Sequence, residues 1–106
     1  MSHKILIENA VKRQKAFKNL EKNLQNIKKT VKKLDPNAEI YLFGSVAEKN
    51  YNYSSDVDVL ILTTVKPAIV HAELWKSGIK EPFEIHVHSP EKASFYKTKV
   101  KLVKVS

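Results

Sequence analysis

Asp56-Val57-Asp58 opens the most apolar run of the chain, Val59-Leu60-Ile61-Leu62, and ten residues separate it from Gly44-Ser45, which directly follows another apolar run, Ile40-Tyr41-Leu42-Phe43. Side chains alternate along a strand, so two carboxylates one residue apart at its start point to the same face. Like charges held that close repel, and a divalent cation between them resolves the repulsion. A Gly-Ser turn after a strand presents a backbone N–H and a hydroxyl, the donors a phosphate oxygen takes. Together the two pieces point to a metal-bound nucleoside triphosphate. A purely structural role for Asp56, as an Asx-turn cap after Ser54-Ser55, leaves Asp58 unexplained inside an apolar strand. Ser45 as the N-cap of a short helix is compatible with phosphate binding, since both use the same helix end.

The elements that must position these residues follow from periodicity. Residues 4–34 contain no Gly or Pro, and Phe17, Leu20, Leu24, Ile27, Val31 and Leu34 recur at spacings of three and four. That is an amphipathic helix, ended by Asp35-Pro36-Asn37. Residues 39–43 read as a first strand, 45–49 as a short helix and 50–55 as a polar loop. Residues 56–63 form a second strand whose continuous apolar character implies burial on both faces. Pro67 suits the first turn of a third helix that ends at Gly78, with Ile69, Leu74 and Trp75 turned inward. Residues 82–88 are a third strand, and Ser89-Pro90 starts a fourth helix. The tail, 97–106, fits strand and helix templates equally. The expected fold class is therefore α/β (α+β), in the order α-β-α-β-α-β-α, with a small mixed sheet of three strands, or four if the tail joins it. The helical crossover makes the second and third strands parallel, and the first and second pair antiparallel.

Parallel neighbours begin at the same sheet edge. Glu84, near the start of the third strand, is then a third carboxylate beside Asp56 and Asp58; its bland alternative is an exposed edge-strand acid. His86 and His88 share Glu84's face. A Glu-x-His-x-His face can bind zinc or another transition metal; alternatively one histidine supports the acid site and the other is exposed. Tyr51 and Tyr53 either stack on a base or anchor their loop.

At 106 residues the chain is read as one domain, 1–106. It divides into a basic amphipathic helix (1–34), a catalytic core (39–89) and a C-terminal helix and tail (90–106). It has no cysteine, so thiolate metal sites and disulfides are excluded. The N-terminus lacks a signal-peptide core and no segment has the roughly 18 apolar residues of a membrane span, so the expected setting is cytoplasmic, with no membrane partner. The net charge of +8 is carried by residues 1–34, where ten basic residues face Glu8 and Glu21. This is a footprint for RNA or an acidic protein, or a solvated face that keeps the chain soluble. The one aromatic among these lysines, Phe17, belongs to the apolar stripe, so no series of aromatic residues interleaves with them to stack on single-stranded bases.

Gly44-Ser45-Val46-Ala47, followed by Ser54-Ser55-Asp56-Val57-Asp58-Val59-Leu60-Ile61, resembles the signature of the minimal nucleotidyltransferases of the DNA polymerase beta superfamily. The resemblance implies the nucleotidyltransferase fold and two Mg2+ ions, with Mn2+ as a substitute, held by Asp56, Asp58 and Glu84 as catalytic carboxylates. It also implies a triphosphate, ATP or another NTP, held by Gly44 and Ser45, with Ser55 and Lys49 contributing. The implied reaction transfers a nucleoside monophosphate, AMP from ATP, to a hydroxyl on a protein or RNA. Relatives of this kind resemble the antitoxin of a toxin–antitoxin pair, which implies a small helical, toxin-like partner protein. A weakly catalytic module that neutralises such a partner by binding is the alternative, and a basic RNA-binding protein a third. One departure matters: the family's common continuation after Gly-Ser-x-Ala is Arg-Gly, and this chain has Glu48-Lys49. Glu48 stands where that arginine would, and Lys49 beside it compensates in part, as a flexible point charge rather than a bidentate fork.

Overall fold

A computed structural model describes residues 18–49 and 56–105. The elements run α1 (Leu20–Leu34), β1 (Glu39–Phe43), α2 (Gly44–Ala47), β2 (Val57–Leu62), α3 (Pro67–Lys76), β3 (Phe83–His88), a 3-10 turn (Pro90–Lys92), α4 (Ala93–Lys99) and β4 (Val103–Lys104). The first part of the expected basic helix, with Arg13 and Phe17, lies outside the described residues. So does the loop 50–55, with Tyr51, Tyr53, Ser54 and Ser55.

The four strands form one mixed sheet in the order β3-β2-β1-β4. β1 is antiparallel to β2 and to β4, and β2 is parallel to β3, the pairing that the helical crossover requires. The tail thus supplies a helix as far as Lys99 and then a two-residue edge strand. Period two sorts β2 into two faces. Val57, Val59 and Ile61 point toward α1 and α3 and are fully buried with Ile40, Ile27, Val31, Val70 and Leu74. Each such side chain contributes about 1.5–3 kcal/mol of burial, which holds the two helices on that face. Asn26 Nδ2 also donates to Ser77 O at 2.9 Å, tying α1 to the end of α3. Leu60 and Leu62 point to the opposite face, where they pack with Tyr41, Phe43, Ala93, Tyr96 and Leu102. β2 is therefore buried on both sides, as its composition requires.

The third helix corrects the sequence reading in part. Its inward stripe is Val70 and Leu74, one turn apart, while Ile69 is 45% and Trp75 62% exposed. Both lie about 100° around the helix from a stripe residue, and Trp75 instead takes Lys80 Nζ over its ring at 4.4 Å. The helix ends in a Schellman motif: Gly78, at φ +93°, donates to Trp75 O, and buried Ile79 donates to Leu74 O at 3.0 Å. The fourth helix begins with the 3-10 turn rather than an α-turn at Pro90, and the Ser89 side chain caps no backbone group.

Candidate active site

Register brings the acids together. The Val57 N–H donates to Pro82 O at 2.8 Å, closing the starting edge of the β2–β3 pair. Asp58 then lies opposite Glu84 on one side and Phe43 on the other. All three side chains share the face away from α1 and α3. On this face Ala93 and Tyr96 of α4 pack on the Leu60 and Leu62 cluster, further along the sheet.

The side chain of Asp58 is 24% exposed, that of Glu84 56% and that of His86 28%. His86 Nε2 stands 3.3 Å from Asp58 Oδ1 and 3.7 Å from Glu84 Oε1. One ligand atom from each of these three residues lies within 4.8 Å of the other two. The second oxygen of Asp58, Oδ2, faces Gly44. A Cβ on Gly44 would run into that oxygen, and the residue sits at φ +76°. Glycine is needed at this position twice over, for the left-handed backbone and for the carboxylate that fills its missing side chain.

Ser45 follows in the same turn, half-buried. The helix starts at Gly44 with Phe43 in the cap position, so Ser45 lies inside the first turn and is not its N-cap. Lys49 closes α2 from an exposed position at φ +60°, its N–H on Val46 O at 3.1 Å, and Glu48 beside it is also exposed. Asp56 is exposed, just ahead of the first residue of β2, and is not one of the three converging ligands. It stands two residues before Asp58 and one ahead of Val57, where β2 begins. Ser55 lies outside the described residues.

Of the two histidines, His86 joins the acids. His88 is half-buried, its ring centroid 5.4 Å from that of Tyr96. A Glu84-His86-His88 zinc face therefore does not form among the described residues; the converging set is Asp58, Glu84 and His86. Phe43 was read only as a strand residue. Its ring meets His86 edge-on at 5.0 Å and Tyr96 at 5.8 Å, forming the apolar wall of the site. Its position opposite Asp58 in an antiparallel pair was the available signal. The surface hollows between α1 and β4 and between α1 and α3 lie on the helix-covered side, away from the carboxylates.

A family model described as a nucleotidyltransferase domain matches residues 24–105, which take in every strand and every one of these side chains. Comparison with curated proteins and with solved structures returns no match.

Proposed function

The chain belongs to the nucleotidyltransferase domain family, and from that premise we propose that it transfers AMP from ATP to a hydroxyl on a protein or RNA. The observation that carries the reading is the division of the Asp58 carboxylate: Oδ2 faces Gly44, and Oδ1 lies 3.3 Å from His86 Nε2 on the side of β3, the strand that pairs Glu84 with Asp58. An acid so placed serves a metal-bound triphosphate on one hand and a reacting hydroxyl on the other. The converging Asp58 and Glu84 offer the hard oxygens that a divalent ion such as Mg2+ takes, and Asp56, one residue ahead of β2, would add a third.

In this mechanism the Gly44-Ser45 turn hydrogen-bonds the triphosphate from its backbone and hydroxyl, and Lys49 adds charge from the end of α2. Asp56 and Asp58 would hold the nucleotide's metal. Asp58 and Glu84 face the acceptor, whose oxygen bonds to the α-phosphorus as the bond to the β-phosphate bridge breaks and pyrophosphate leaves with the electron pair. Glu84, the most exposed of the converging three, takes the hydroxyl proton. The divalent ions, when bound, neutralise the triphosphate and acidify the attacking hydroxyl. The test is incubation of the protein with native lysate, Mg2+ or Mn2+ and α-labelled ATP. A labelled acceptor that disappears with Asp58→Ala is the expected result; no transfer from any α-labelled triphosphate overturns the reading.

A second reading has one observation in its favour. Exposed Glu48 puts an acid where the family commonly has arginine, which disfavours a developing negative charge nearby. On this reading the chain is the antitoxin of a toxin–antitoxin pair and neutralises a small helical partner by binding. Neutralisation that survives Asp58→Ala supports it; neutralisation that requires Asp58 supports AMP transfer to the partner.

A further inference from the structure

We propose that His86 Nε2 is itself a ligand of the ion between Asp58 and Glu84, making this corner a mixed nitrogen–oxygen site that selects a first-row transition ion such as Mn2+ over Mg2+. The inference rests on the nucleotidyl-transfer reading and specifies the metal chemistry that this chain's own residues support.

The Nε2 atom stands 3.3 Å from one carboxylate and 3.7 Å from another, contributed by different strands. The first is a long hydrogen bond and the second lies beyond hydrogen-bond reach, so neither matches the roughly 2.7–2.9 Å of a charge-assisted pair. Donors about 2.1 Å from a shared ion stand roughly 3–4 Å apart, and both separations fall in that range. The imidazole is also held in place. Parallel register puts His86 beside Leu60, two residues along from the Asp58–Glu84 pair, and the edge-on contact with Phe43 fixes the ring by packing. A ring fixed by an apolar wall with its far nitrogen aimed between two carboxylates is a preorganised donor.

The choice of ion follows from the donor. Mg2+ demands oxygen ligands in near-octahedral geometry and keeps its waters, whereas imidazole suits the transition ions. Two carboxylates and one imidazole still accept Mn2+, which takes oxygen readily and nitrogen as well. His88, two residues on, faces Tyr96 instead and serves as an internal control.

The experiment titrates Mn2+ into the tag-free full chain in a nitrogen-free buffer. Inorganic triphosphate replaces ATP, so that no base nitrogen is present. Pulsed EPR should show nitrogen coupling from a directly bound imidazole, lost in His86→Ala and His86→Gln and retained in His88→Ala, with far-UV circular dichroism confirming the fold of each. Mn2+ affinity should fall roughly tenfold or more with His86→Ala, while Mg2+ affinity changes less than about twofold. Asp58-dependent Mn2+ binding without nitrogen coupling overturns the proposal and leaves the nucleotidyl-transfer reading standing. An equal loss of both ions in His86→Ala also overturns it, since that marks a positioning role. Failure of the wild-type chain to bind either ion overturns both readings.

Discussion

Strand β2 meets a carboxylate at each end, and the two are treated in opposite ways. At its finish, Asp35 from the end of α1 accepts the Thr63 hydroxyl at 2.6 Å and the Asn37 N–H at 3.0 Å. Thr63, only 3% exposed, in turn accepts the Val65 N–H at 3.2 Å. These bonds, the Thr63 hydroxyl foremost and the Asn37 backbone next, hold the Asp35 carboxyl below the ordinary carboxylate value. At the start of the strand, Asp58 has a different set of neighbours. Among the described residues its hydrogen-bond partner is His86 at 3.3 Å, another acid lies opposite, and its second oxygen is pressed against a glycine with no side chain to offer. A carboxylate saturated by short hydrogen bonds fastens chain segments together. One that is aimed at other ligands and left short of donors is arranged for something that arrives from solution.

The largest test of this contrast is Asp58→Ala. Losing a carboxylate that serves both sides of the site should cost several kcal/mol of transition-state stabilisation, roughly a thousandfold or more in transfer. Labelled-ATP assays should show this loss, and Mn2+ affinity should fall with it. Stability should stay within about 1 kcal/mol of wild type, because removing one of two facing acids also relieves repulsion. A variant that unfolds would make Asp58 structural and erase the distinction. Gly44→Ala should damage both properties together. The left-handed backbone costs a non-glycine residue about 1–2 kcal/mol, and the new Cβ displaces Asp58 Oδ2. Denaturant unfolding and Mn2+ titration should therefore fall in parallel; a loss of stability with metal affinity intact would show that the two residues are not coupled.

Much of the fold around these two ends was legible in the sequence, although the Asp35–Thr63 pairing was not. Residues 39–43, 56–63 and 82–88 located the three main strands to within a residue or two, because apolar runs bounded by Pro, Gly and Asp leave few alternatives. The crossover rule then pairs β2 with β3 in parallel, which brings Glu84 to Asp58 from sequence alone. What escaped depends on how neighbours pack. His86 and His88 share a face, and only the docking of Tyr96 separates them. Ile69 and Trp75 are as apolar as Val70 and Leu74, but a single stripe of α3 meets the sheet, and sequence alone does not say which. The tail's strand is two residues long, set by its pairing with Tyr41 and Leu42 rather than by its own pattern.

The finish of β2 should respond in the reverse sense to its start. Asp35→Ala leaves the buried Thr63 hydroxyl without its acceptor, at a cost of about 1–3 kcal/mol, while Mn2+ affinity stays unchanged. The dependence on pH has a definite sign. The folded carboxyl titrates below its reference value of 3.8, so its contribution is present above that value and is lost as pH falls through the folded pKa. Wild type should lose stability on acidification below about pH 4 more steeply than Asp35→Ala, as thermal melts across an acid series would show. Equal slopes would mean that Asp35 does not carry the difference.

The smallest expected effect lies back at the site end and separates strain from function there. Lys49 occupies the left-handed position that closes α2, and the family's common residue at this place is glycine. A lysine in that conformation costs about 1–2 kcal/mol; glycine removes the cost but gives up part of it through the greater freedom of the unfolded chain. Lys49→Gly should therefore stabilise the protein by roughly 0.5–1 kcal/mol. If the ammonium also serves the triphosphate, ATP affinity should fall several-fold in the same variant and the salt dependence of binding should weaken. A gain in stability with unchanged ATP affinity would remove Lys49 from the site. The start of β2 would then carry, beside the carboxylate kept for a ligand, a strained turn that serves no ligand at all.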